Sequence, residues 1–119
     1  MPAKKRSPCP VACVLDLVGD RWTLLIVRDL FLGRRHFKEF LASPEGIATN
    51  ILADRLAKLV DAGYVEKYPS DEIPGKDAYR LTAAGATLKG LLQSIANWGL
   101  QHIEGTKQNL KPKRGGASD

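Results

Sequence analysis

The feature that most constrains this chain is a change of hydrophobic period at Gly63. Before it, Leu52, Leu56, Leu59 and Val60 recur at three- and four-residue intervals, the spacing of one buried helix face. Directly after it, Tyr64-Val65-Glu66-Lys67-Tyr68 is rich in strand formers, and a polar stretch from Pro69 to Lys76 leads into a second short strand, Asp77 to Leu81. A helix followed at once by a hairpin argues against a plain helical bundle.

The upstream segments complete the pattern. Pro10 suits the first position of a helix, and Val11, Val14, Leu15 and Val18 follow at helical spacing until Gly19. Asp20 is placed to cap a second helix, Arg21 to Leu32, whose Trp22, Leu24, Leu25, Ile26, Val27, Leu30 and Phe31 make it apolar nearly all round. Such a helix is expected to be the central beam of the core, with Gly33 as its left-handed stop. A short third helix starts near His36 with Phe37, Phe40 and Leu41, and Ser43-Pro44-Glu45-Gly46 turns the chain into the fourth, from about Thr49 to Ala62. Two helices joined by a tight turn make a helix-turn-helix, and the hairpin then follows as its wing. Thr82 caps a long last helix with Leu88, Leu91, Leu92, Ile95 and Trp98 on one stripe.

The expected fold is therefore mainly α with a small β-hairpin wing, a winged helix-turn-helix over residues 9–105. A basic arm, 1–8, precedes it and a basic tail expected to be disordered, 106–119, follows.

The 119 residues suit a single domain, and no apolar run is long enough to cross a bilayer. No apolar stretch follows Lys4-Lys5-Arg6, so no secretion signal is expected and a cytoplasmic location follows by default. The net charge of +5 hints at a polyanionic partner, but Lys4, Lys5 and Arg6, with Lys107, Lys111, Lys113 and Arg114 against Asp119, account for +6 and leave −1 for the folded part. The case for nucleic acid must rest on where the basic residues sit. Two cysteines and two histidines without ligand spacing make a metal site improbable, and no cofactor or catalytic site is expected. The neighbouring acids Asp71 and Glu72 lie on a short hairpin loop, which offers no cleft for acid–base chemistry.

The candidate reader is the fourth helix, whose outer side carries Thr49, Asn50, Ala53, Asp54, Ala57 and Lys58. Asn pairs with adenine, Thr meets a thymine methyl, and the alanines allow close approach in a major groove of double-stranded DNA. Arg34, Arg35, His36 and Lys38 form the densest basic cluster in the folded part, at the helix expected to cross the DNA backbone. Arg55, Lys58 and Lys76 are further candidate DNA contacts, although Asp54 is a rival partner for Arg55, and Lys67 joins Lys76 on the hairpin. For His36 a neutral hydrogen-bonding role is an alternative.

Val11, Val14, Leu15, Leu91, Leu92, Ile95 and Trp98 exceed what a small winged core needs, and a two-fold interface between terminal helices of a homodimer would absorb them. Cys9 precedes a helix N-terminus and follows three cations, features that favour a thiolate, so it is either a redox or electrophile sensor or an exposed bystander. Cys13 reads as core filler. The competing reading is a winged domain used for protein–protein assembly without DNA.

From Cys9 to Trp98 the chain resembles the HxlR family of bacterial regulators, related to the MarR type. The resemblance is carried by Cys9-Pro10, Gly19-Asp20-Arg21-Trp22-Thr23, Phe37-Lys38-Glu39-Phe40, Gly46-Ile47, Leu52-Ala53-Asp54-Arg55-Leu56 with Leu59, Gly63-Tyr64-Val65, and Tyr79-Arg80-Leu81-Thr82 with Gly85 and Trp98. It implies a dimer formed by terminal helices on a palindromic operator and, in some members, control through a cysteine at the position of Cys9. The chain departs from the family pattern at His36, Ala48, Gly75 and Asp77. Ala48 replaces a capping Ser or Thr, which makes Thr49 the substitute cap.

Overall fold

A computed structural model describes residues 6–107 as α1 (Pro10–Val18), α2 (Thr23–Phe31), α3 (Phe37–Leu41), α4 (Thr49–Asp61), β1 (Val65–Pro69), β2 (Asp77–Leu81), α5 (Ala83–Ala86) and α6 (Lys89–His102). Most of the basic arm and tail, including Lys4, Lys5, Lys111, Lys113 and Arg114, lies outside the described residues.

Local chemistry explains the boundaries. Cys9 is extended, with ψ of 125°, as the residue before a proline prefers, and Pro10 opens α1. Asp20 Oδ2 accepts the backbone N–H groups of Trp22 at 2.9 Å and Thr23 at 3.0 Å, satisfying donors at the start of α2. Gly33 and Gly63, with φ of 96° and 88°, stop α2 and α4 in the left-handed region that other residues enter only with strain. The recognition helix has no such help at its start. Ala48 is its N-cap and Thr49 is already helical, so Thr49 does not supply the missing cap.

The core gathers Ile26, Val27 and Leu30 of α2, Phe40 of α3, Leu52, Leu56 and Leu59 of α4, and Val65 of β1. Burying each large side chain of this kind contributes about 1.5–3 kcal/mol. α2 is the central beam, as its composition predicts, yet it is not simply greasy. Its Asp29 is a buried carboxylate beside Arg28, and the two hold the turn of the helix-turn-helix.

β1 and β2 pair antiparallel, with Val65 opposite Leu81 and Tyr68 opposite Ala78. The hairpin is docked at its side: Tyr79 N–H donates to the Arg35 carbonyl at 2.9 Å, and the Tyr79 ring meets Phe40 edge-on, centroids 6.4 Å apart. The expected long last helix is in fact two. Thr82 Oγ1 caps α5 by accepting from Gly85 N–H at 3.1 Å while donating to the Gly63 carbonyl at 2.6 Å. Gly85 is pressed against Tyr64, whose carbonyl oxygen would lie 2.0 Å from any added Cβ. With α5 pinned there, the chain turns through Thr87 and Leu88 before α6 begins, and Leu88 and Leu92 reach the core.

Candidate nucleic-acid interface

The outer face of α4 is laid out as its periodicity predicts. Leu52, Leu56 and Leu59 point into the core, and Thr49, Asn50, Ala53, Asp54, Ala57 and Lys58 are exposed. Lys58 reaches Asp54 at 3.3 Å, one helical turn away, but keeps 71% of its side chain in solvent. That ion pair and a second hydrogen bond from Arg55 hold the Asp54 carboxyl below its usual range.

The turn that presents this face is wired to α2. Arg28 grips Glu45 with two guanidinium nitrogens at 2.7 and 2.9 Å, and its Nε donates to Asp29 at 3.0 Å. Ser43 Oγ donates to the other oxygen of Asp29. The hydrogen bond to Glu45 raises the Arg28 pKa despite burial, and the same bond lowers that of Glu45. Sequence reading passed over Arg28 and Asp29; the signal was a charged pair inside an otherwise apolar helix, which seldom occurs unpaired in a core.

Four expected DNA contacts are engaged within the fold. His36 is 5% exposed, so it does not present a donor to solvent; it starts α3, and its Nε2 lies 2.8 Å from Ser70 Oγ. Arg35 donates to Tyr68 Oη at 3.1 Å and pairs with Glu72 on the wing loop. Arg34 is half-buried, 3.9 Å from Asp29. Arg55 is a strut, bound to Asp54 at 2.5 Å and to Asp20 at 3.0 Å, joining α4 to the junction between α1 and α2. Burial works against ionisation of Asp20, but bonds from Thr23 Oγ1, Trp22 N–H, Arg55 and Thr23 N–H outweigh it and bring its carboxyl from 3.8 to about 2. Lys38 and Lys76 remain exposed, as does Lys67, 3.9 Å from Asp77.

Among the described residues, the terminal helices carry exposed apolar side chains. Val11, Val14 and Leu15 of α1 are exposed, while Val18 alone turns into the fold. On α6, Ile95 and Trp98 are exposed, with Leu100 and Ile103, which the sequence stripe did not include. Leu91 and Leu92 are both half-buried, and Leu92 packs against the core. Cys9 is exposed, Cys13 is half-buried with its thiol 3.4 Å from the Ser7 carbonyl, and Arg6 is bound to Asp16 rather than to Cys9.

Helix, turn, helix and a docked hairpin together define a winged helix-turn-helix protein. The HxlR-like helix-turn-helix model matches residues 17–107, and the chain belongs to that family of transcriptional regulators. A helix-turn-helix regulator of Mycobacterium tuberculosis is 40% identical over 93 residues, 78% of this chain, although the chain spans only 58% of that relative's length. The Bacillus subtilis regulator YodB is 34% identical over 97 residues, covering 81% of this chain and 87% of its own. Among solved structures, the redox regulator HypR in its reduced form superposes with a TM-score of 0.73 at 27% identity, covering 81% of this chain and 95% of that one. Among the described residues, no helix is long and apolar enough to cross a membrane.

Proposed function

We propose that the chain is a cytoplasmic transcription regulator that binds a palindromic operator in double-stranded DNA as a homodimer. The observation that carries this reading is the outer face of α4: two short polar readers, Thr49 and Asn50, beside two alanines, all exposed, with Lys58 on the same helix. A face that small and polar fits a major groove, where Asn50 would read adenine. Lys38, Lys58, Lys67 and Lys76 supply the phosphate contacts, and Arg35 joins them when it exchanges Glu72 for a phosphate. The exposed apolar faces of α1 and α6 form the two-fold seam that spaces the readers.

The test is the salt dependence of binding to a DNA duplex. With about six to eight phosphates neutralised by the two subunits, log K should fall with log[salt] at a slope of about −5 to −7. A slope near zero favours the protein-assembly alternative instead.

A second reading concerns control. Cys9 is exposed at the N-cap of α1, and the structural neighbours include YodB in a quinone-bound form and HypR in an oxidised form. Electrophile or oxidant attack on Cys9 would act at the start of a helix that also carries the dimer face. Treatment with a quinone should release wild-type protein from DNA, leave Cys9→Ser bound, and still release Cys13→Ser.

A further inference from the structure

His36 is buried where α3 meets the wing loop, with its ring turned away from solvent. The Ser70 hydroxyl oxygen accepts from the backbone N–H groups of Glu72 at 3.1 Å and Ile73 at 2.9 Å. A hydroxyl has two acceptor lone pairs and one proton. Both lone pairs are therefore occupied, and the 2.8 Å contact with His36 Nε2 has to be Ser70 O–H donating to a bare ring nitrogen. On the other side of the ring Nδ1 faces Glu39 Oε1 at 3.3 Å and Glu72 Oε1 at 3.9 Å, acceptors for a proton carried there.

We infer that His36 is a positioning residue that latches the wing loop in a proton-dependent way: the neutral ring holds Ser70 and the loop carrying Glu72 and Lys76, and protonation of Nε2 releases them. A proton on Nε2 turns the acceptor into a donor facing a hydroxyl with no lone pair left. Ser70 must then give up the N–H of Glu72 or Ile73, or swing away, and either change opens the turn at 70–73.

Glu39 from α3 and Glu72 from the wing loop face the ring, and Arg35 from the α2–α3 loop lies nearby with its guanidinium held by Glu72 and by Tyr68 Oη of β1. Histidine is the side chain that ordinarily changes charge in the physiological range. The stem of the hairpin stays docked through Tyr79 N–H and the Arg35 carbonyl, 2.9 Å apart, so release is confined to the loop.

Its consequence for DNA rests on the proposed function, but the latch itself is testable without DNA. Nitrogen NMR of the histidine rings in the full chain should show His36 with Nδ1 protonated and Nε2 bare at about pH 8. Corrected for the intrinsic pH effect, exchange of the Glu72 and Ile73 amides should be about tenfold faster at about pH 5.5 than at pH 8, with Tyr79 unchanged. His36→Gln keeps an acceptor oxygen for Ser70 and does not titrate, so its protection should be equal at both pH values; His102→Gln should respond like wild type. If His36→Gln does not fold, Ser70→Ala takes its place and should exchange rapidly at both. A proton on Nε2 at pH 8, or protection in wild type that ignores pH, overturns the latch. So does a pH response that persists in His36→Gln. With a random-sequence duplex of about 24 base pairs as the DNA probe, wild-type affinity should fall about threefold more than that of His36→Gln over the same pH span. Absence of any DNA binding would strike the proposed function and leave the NMR result standing; binding without pH-dependent protection would strike the latch alone.

Discussion

The helix-turn-helix with its wing and the two terminal helices make an instructive contrast. In the centre, α2, α3, α4 and the hairpin bury their apolar side chains in one another, and their charged groups find partners across elements. At the ends, α6 has no buried residue and α1 has only Val18, while Val11, Leu15, Ile95, Trp98 and Ile103 remain largely in solvent. A region with exposed apolar surface is where the proposed two-fold seam would lie.

The largest effect expected from breaking this contrast lies in the centre. Phe40 is buried between α3 and Tyr79 of β2, and Phe40→Ala should cost about 3–5 kcal/mol in urea unfolding. A loss independent of protein concentration would show that the centre is complete in one copy.

Trp98→Asp probes the ends. A charge in the proposed seam would be desolvated without a partner. Light scattering should then report half the mass, and DNA affinity should fall by about 100-fold because each half-site is held alone. A variant that stays dimeric with full affinity would move the seam elsewhere.

Next in size is the strut between the regions. The Asp20 carboxyl titrates at about 2 in the fold against an ordinary 3.8. Its contribution is complete above the unfolded value and is lost as pH falls from about 4 towards 2, at most about 2 kcal/mol. Unfolding midpoints measured down this range should drop less steeply in Asp20→Asn than in wild type. Parallel curves would mean that the bonds from Thr23, Trp22 and Arg55 to this carboxyl together add little.

The smallest effect concerns reading. Asn50→Ala should weaken binding to a site selected from random DNA by about tenfold and leave unrelated DNA nearly unaffected. Equal losses on both would make Asn50 a phosphate contact or a structural residue.

Much of the centre was legible from the residues alone. Gly33 and Gly63 announced the ends of α2 and α4, Asp20 announced a cap, and the strand Asp77 to Leu81 has the predicted bounds. The failures share a cause. The last helix looked continuous because its apolar spacing carries through Leu88, but it is divided at Thr87 and Leu88, between α5 and α6. A stripe also does not say how far the same chain covers each of its members, as with the half-buried Leu92.

What the sequence by itself determined is where helix gives way to strand, which face of α4 is polar and which end segments carry surplus apolar surface. These are local properties, repeated every two or every 3.6 residues, and they survive without knowledge of the partners. Only the tertiary structure decided which charges are already spent. Arg35 meets Glu72 across 37 positions of chain and Arg55 meets Asp20 across 35, while His36 closes on Ser70 across 34. No periodicity encodes such pairings, because packing brings the groups together and the low dielectric between the packed elements then makes the pairing matter.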